Sequence, residues 1–208
     1  MLEVKCLTLG PLETNCYLLK QEKKAILIDA MVDQQGDIDR IVQALEDSQL
    51  LAVILTHGHY DHIAAVNLLF NRYQMPIYIH EDEADYLTEP KLNLSPLFSL
   101  NYTVDEPANI VSGHQLKIDD FIFEVIKTPG HTPGSMTLII DNHAFVGDFL
   151  FKNSIGRTDL IKGSQELMRK SLSEAINWPD DWIIYPGHGP TSTMKDEKKS
   201  NPYLRTHR

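Results

Sequence analysis

Leu51-Ala52-Val53-Ile54-Leu55-Thr56-His57-Gly58-His59-Tyr60-Asp61-His62 is the stretch on which the fold turns. Its first five residues are an unbroken apolar run, the signature of a buried strand. Ile63 to Phe70 follows with helical character, extending to about Tyr73. The histidines therefore sit where a strand gives way to a helix, at the rim of a sheet, and open α/β sheets place ligands at such strand ends. Four potential metal ligands fall within residues 57–62: His57, His59, Asp61 and His62. Imidazole with carboxylate suits zinc, iron or manganese. His57 and His59 are two apart, so an extended turn points both rings one way. Asp61 and His62 are offset and face a second point, an arrangement that suits two adjacent metals. Gly58 allows the tight turn between them.

Outward from this stretch, strands and helices alternate. Strands are expected at Leu2–Leu9, Asn15–Leu19, Ala25–Asp29, 51–55 and Pro76–His80, with a helix over Gly36–Asp47 carrying Ile38, Ile41, Val42 and Leu45 on one face. A short acidic helix starts at Glu81, where Asp82 or Glu83 favours the N-terminal dipole. Residues 88–109 contain Pro90, Pro96 and Pro107 and read as irregular, either a lid over a site or a patch on the core. The second half begins with hairpins at 115–118/121–128 and 136–140/144–146. A helix over Ser164–Ile176 follows, capped by Ser164, with Leu167, Met168, Leu172 and Ile176 on one side. Trp182–Tyr185 is the last strand, and residues 195–208 read as a charged, loosely held tail. The expectation is one domain over 1–208 in two strand-then-helix halves, about 1–105 and 106–208, packed sheet on sheet with helices outside.

Three further residues project from apolar strands into glycine-bearing turns: His131 in Thr128-Pro129-Gly130-His131-Thr132-Pro133-Gly134-Ser135, Asp148 after Phe145-Val146-Gly147, and His188 in Tyr185-Pro186-Gly187-His188-Gly189-Pro190. If their strands are parallel neighbours, these turns meet at one edge. His80 is expected at the surface, and His114, His143 and His207 in solvated turns or the tail. Tyr60 and Tyr185 are expected to pack in the core.

Composition narrows the function. The net charge is −10 and 42% of residues are hydrophobic, ordinary for a globular chain. An acidic balance disfavours nucleic acid and anionic membrane as partners, which demand clustered Lys and Arg. No run reaches the roughly 18 apolar residues of a membrane span, and the start lacks a secretory layout. A cytoplasmic setting is expected. Cys6 and Cys16 fall in expected strands and read as small buried side chains rather than a disulfide or metal pair.

Taken in order, the 56–62 stretch, Gly130–Ser135, Gly147-Asp148 and Gly187–Pro190 resemble the metallo-β-lactamase-fold hydrolases. Asp29, in Ile28-Asp29-Ala30, matches an aspartate that the family places after an early strand. The runs Gly147–Phe151, Gly156-Arg157-Thr158-Asp159 and Glu197–Leu204 are similar to the small glyoxalase II-like branch. β-Lactamases typically carry cysteine where Asp148 stands. The resemblance implies an αββα sandwich of the α/β class. It implies two zinc ions, with iron or manganese as substitutes: one on His57, His59 and His131, the other on Asp61, His62 and His188, bridged by Asp148. Asp61 would also orient the nucleophile, and Asp29 would fix a ligand's orientation. A water between two cations loses its proton near neutral pH, so the expected reaction is hydrolysis of S-D-lactoylglutathione or a related small-molecule thioester. Arg157 and, more weakly, Lys152 are candidates for contacting an anionic group of the substrate. The extra C-terminal helical region of larger glyoxalase II enzymes has no counterpart here, which leaves the thiol carrier open. The alternatives are a mononuclear iron persulfide dioxygenase of the same fold and, less favoured, an RNA-processing nuclease.

Overall fold

The apolar runs become strands in the computed structural model, which describes residues 1–205 and separates into two compact units, Met1–Val111 and Ser112–Arg208. In the first unit, β1 (Glu3–Leu9), β2 (Thr14–Gln21), β3 (Lys24–Ile28), β4 (Gln49–Ile54), β5 (Ile77–His80) and β6 (Asn109–Val111) form one sheet in sequence order. The first three pair antiparallel and β3 to β6 pair parallel. β2 and β3 are buried on both faces, as near-continuous apolar strands of covered sheets are. Helix α1 (Gln35–Leu45) lays Ile38, Ile41, Ala44 and Leu45 into a core with Leu7, Leu9, Leu18 and Leu27.

The chain direction positions function. β1 and β3 to β6 run one way and β2 the other, so the ends of β3, β4 and β5 and the start of β2 lie at the same end of the sheet. That end carries Asp29, the 56–62 stretch, Glu81–Glu83 and Thr14. The expected helix after the histidines starts earlier and is broken: α2 (Tyr60–Ile63) and α3 (Val66–Tyr73) flank Ala64 and Ala65. Asp61 and His62 thus occupy a helical turn, which places them differently from the extended His57 and His59.

Residues 88–109 are more ordered than expected. After α4 (Ala84–Thr88) come α5 (Pro90–Asn93) and a 3-10 turn over Ser95–Phe98. Pro90 and Pro96 sit in the first turns of these elements, where no amide hydrogen is needed; reading them as breakers hides the helix. Buried Asn93 donates to the Tyr86 and Tyr102 carbonyls, and Phe98 and Tyr102 pack on the core. Tyr60 meets both rings, so the segment patches the core.

The second unit contains β7 (Gln115–Ile118), β8 (Phe121–Lys127), β9 (Met136–Ile140), β10 (His143–Gly147), the small pair β11 (Leu150–Phe151) and β12 (Ser154–Ile155), α6 (Gln165–Ala175), β13 (Ile183–Pro186) and β14 (Ser192–Thr193). The main sheet has the order β14-β13-β10-β9-β8-β7. β10 and β13 are parallel, while β9 runs antiparallel to both β8 and β10. β8, β10 and β13 therefore end at one edge, where His131, Asp148 and His188 follow them. Ser164 caps α6 by accepting from the Leu167 amide. Met168 and Leu172 are buried, but Leu167 is exposed rather than on the packed face.

Several expectations need correction. The tail is not loose through residue 205: α7 (Met194–Ser200) and α8 (Pro202–Arg205) dock through buried Glu197, Asn201 and Leu204. Glu197 accepts from the Asn153 amide and the Asn201 side chain. His207 lies outside the described residues. Cys6 is exposed because it lies on the face of β1 opposite buried Leu7 and Leu9, whereas Cys16 is buried, and burial pushes the Cys16 thiol pKa up. His80 is buried and caps the Glu81–Glu83 turn, its Nδ1 accepting from the Asp82 amide. His143 sits in β10 at 2.9 Å from the Tyr185 hydroxyl, while Tyr185 stacks on Phe145. No helix among the described residues is long and apolar enough to cross a membrane.

Candidate metal centre

The first unit gathers His57, His59, Asp61 and His62, all buried. The ligand atoms of His57 and His59 lie within 4.8 Å of one another. The His57 and His62 rings are 4.2 Å apart, and Asp61 Oδ2 is 3.4 Å from His62 Nε2. Asp61 is steadied by the Thr14 hydroxyl, which donates to Oδ2 at 3.1 Å. Gly58 is required by space: a Cβ there would lie 2.3 Å from the Tyr86 Cβ.

Asp29 organises this cluster. At φ 57° it leaves β3 in the left-handed region, which aspartate tolerates better than most residues. Its Oδ1 accepts from the Thr56 amide, and its Oδ2 accepts from the Thr56 hydroxyl and from His62 Nδ1, each at 2.8 Å. With Nδ1 donating, His62 carries its lone pair on Nε2. The Thr56 hydroxyl has spent its one hydrogen on Asp29, so its 3.2 Å contact with His57 Nδ1 has the ring donating. His57 then also presents a lone pair at Nε2.

The second unit gathers His131, Asp148 and His188. Asp148 Oδ2 is 3.5 Å from the Nε2 of each histidine, one carboxylate shared by two rings. His131 Nδ1 donates to the Arg157 carbonyl at 2.8 Å; a carbonyl only accepts, so here too Nε2 holds the lone pair. The turn beneath His131 is closed by the Thr128 amide donating to the Ser135 carbonyl and by Thr132 Oγ1 at 2.6 Å from Ser135 Oγ. Gly156 lies against the backbone of Asp148, and a Cβ there would be 1.8 Å from its carbonyl oxygen.

Each unit thus supplies imidazoles in the ligating tautomer together with carboxylate. This donor set fits zinc, iron or manganese and suits neither calcium nor copper(I). Hydrogen bonds that fix ring orientation from behind are what metal-ligating histidines need.

Arg157 is exposed, and its fork grips Asp159, Nε to Oδ1 at 2.7 Å and Nη2 to Oδ2 at 2.9 Å. The guanidinium holds the Asp159 carboxyl down to about 2. Arg157, Thr158, Asp159, Arg169 and Tyr203 line a cavity of about 670 Å³ floored by Met168 and Leu172. Lys152 is exposed in the β11–β12 turn and does not line that cavity.

Sequence reasoning misses Thr14, Thr56 and Glu83. In the sequence Glu83 reads as a dipole partner in an acidic turn, yet it is fully buried and accepts from the Gly58 amide at 2.9 Å. A glutamate in Glu81-Asp82-Glu83 carries no sequence mark of burial.

Residues 9–188 match the family model described as the metallo-beta-lactamase superfamily. The chain is 33% identical to the probable metallo-hydrolase YqgX of Bacillus subtilis, over 94% of each chain. It is also 33% identical to the hydroxyacylglutathione hydrolase GloC of Haemophilus influenzae, over 98% of each. Among solved structures it is similar to the BLEG-1 B3 metallo-beta-lactamase, with TM-score 0.91 and 36% identity over 97% of this chain and 99% of that one. It is similar too to TTHA1623 in a di-iron-bound form, with TM-score 0.85 and 30% identity over 96% and 99%.

Proposed function

This chain belongs to the metallo-beta-lactamase superfamily of metal-dependent hydrolases and has its mixed α/β, two-sheet fold, and within that family we propose that it is a dinuclear thioesterase of the hydroxyacylglutathione hydrolase kind. His57, His59 and His131 would hold one cation, Asp61, His62 and His188 the other, and Asp148 both. The observation that carries this reading is the set of Nδ1 anchors: His57, His62 and His131 each donate from Nδ1, and so turn Nε2 toward a ligand. The family match spans the residues of both units, and the GloC likeness supports the thioester.

Two bound cations supply an acidified water and a Lewis acid for the carbonyl. Asp61 would orient the attacking water and take its proton, and the Thr14 hydroxyl that donates to Oδ2 holds its carboxylate in place. Asp29 keeps His62 in one tautomer throughout. A thiolate leaves readily, so no protonated side chain is required on the leaving side. Arg157, paired with Asp159 in the lining of the 670 Å³ cavity, is the proposed contact for a carboxylate of the thiol carrier, with Lys152, outside that lining, secondary. The carrier is a small molecule in a cytoplasmic setting, with neither nucleic acid nor membrane as partner.

The test is turnover of S-D-lactoylglutathione by zinc-, iron- and manganese-loaded protein, with His59→Ala as control and metal content measured on each sample. Thioester cleavage that follows two equivalents of metal supports the proposal. Oxygen uptake with glutathione persulfide at one iron per chain would replace it with the dioxygenase reading. Turnover of a β-lactam but no thioester would replace it with the activity named in the BLEG-1 structure.

A further inference from the structure

We propose that Glu83 is a positioning residue of the metal centre, fixing the His57–His59 turn through the Gly58 backbone amide. It rests on the reading of His57 and His59 as ligands of one cation, and adds a residue that the ligand set does not contain. Glu83 is fully buried, and burying a carboxylate is costly unless its oxygens are used. Oε2 accepts from the Gly58 N–H at 2.9 Å, at the one residue between the two histidines. The glycine also lies against Tyr86, three residues further along the same segment, with room for no Cβ. Tyr86 faces the His59 ring at 5.8 Å; burial, and then the negative charge of Glu83, push its phenol pKa up.

The contact is long-range: Glu83 and Gly58 are 25 residues apart. Glu83 arrives on the turn capped by buried His80, at the end of β5, which pairs directly with β4. β4 and β5 thus present two consecutive strand ends, one bearing the ligands and the other the carboxylate that pins them. Asp29 does the same for His62 from the other neighbour of β4. The loop after β4 is held from both flanking strands, and each anchor is a buried carboxylate.

Toward the Gly58 amide, an oxygen acceptor at the right reach is what the turn needs. Glu83→Gln keeps that acceptor, whereas Glu83→Asp keeps the charge but withdraws the oxygen by one methylene. Cobalt(II) and zinc affinities would be measured by chelator competition on the full chain, with the cobalt d–d spectrum recorded. Glu197→Asp is the control, since Glu197 is a buried glutamate with backbone and side-chain donors but outside the metal-ligand set. Glu83→Asp is expected to weaken metal binding about 10- to 100-fold, the range for lost outer support of a metal site, and to shift the cobalt bands. Glu197→Asp is expected to match the parent chain in both, and Glu83→Gln to lose less affinity than Glu83→Asp. Parent-like affinity in Glu83→Asp, or a loss in Glu83→Gln as large as in Glu83→Asp, would overturn the inference. A parent chain that takes up no metal would instead defeat the proposed function on which it rests.

Discussion

Asp29 Oδ2 and His62 Nδ1 are 2.8 Å apart across 33 residues of chain. The same carboxylate accepts from the Thr56 amide and hydroxyl, so three donors converge on one side chain at the end of β3. Asp29→Asn offers one acceptor oxygen where two are in use, and its amide hydrogens face donors. The expected result is metal affinity lowered about 10- to 100-fold, measured by chelator competition, with secondary structure kept by circular dichroism. Unchanged affinity would show that His62 is oriented by its packing alone.

Metal removal tests the donor set directly. A ligand that binds only the folded state stabilises it by about 2.7 kcal/mol at a hundred times its Kd. The melting temperature should rise with zinc or manganese concentration and fall with a strong chelator. A melting curve indifferent to both would mean that the seven donors hold no cation.

Much of this is readable in the residues, for a physical reason. The 51–55 run is apolar because β4 is central in its sheet, and the ligands follow it at fixed spacing, so both fold and ligand set show locally. The alternating hairpins of the second unit are legible in the same way. What escapes depends on partners distant in sequence. His80, Glu83 and Asn93 look like ordinary polar turn residues until β5 is seen pairing with β4. The helix at Pro90–Asn93 hides behind prolines that suit a first turn. The docking of α7 and α8 rests on Glu197 and Asn201, which read as a solvated tail because their partners, Asn153, Phe151 and Ser154, lie more than 40 residues away.

Two glycines should respond oppositely to alanine. At Gly156 the new Cβ would lie 1.8 Å from the Asp148 carbonyl oxygen, a backbone atom. Gly156→Ala should displace Asp148, lowering metal stoichiometry and soluble yield together. Gly36 is in α1, and a methyl group added there would meet nothing within 4 Å. Gly36→Ala should raise stability by about 0.5–1 kcal/mol through helix propensity. Urea titrations of both variants check the pair, and a tolerant Gly156→Ala would contradict the tight seat of Asp148.

His143 gives a pH signature. Burial lowers its pKa below the ordinary 6.5, partly offset by Asp141. The unfolded chain therefore takes up a proton before the folded one, and stability falls as pH drops through about 6.5. Urea unfolding of chelator-treated protein at pH 7.5 and 5.5 should show a larger loss for the parent chain than for His143→Gln. Equal losses would assign the acid sensitivity to other groups.

The Arg157–Asp159 pair makes the substrate proposal testable from two sides. Arg157 donates twice to Asp159 and so presents a fixed but partly neutralised fork to the cavity. Arg157→Ala removes the fork while leaving the backbone carbonyl that anchors His131. KM for an anionic thioester should rise about tenfold, equivalent to about 1.4 kcal/mol of binding, with metal content and kcat near the parent values. Arg157→Lys should recover little, because an ammonium cannot reproduce a planar two-point contact. Asp159→Ala frees the guanidinium from its carboxylate and should leave KM for the anionic substrate unchanged or lower. A neutral thioester should be indifferent to all three changes. If Arg157→Ala instead lowers kcat and metal content together at constant KM, Arg157 serves the shelf beneath His131 rather than the substrate.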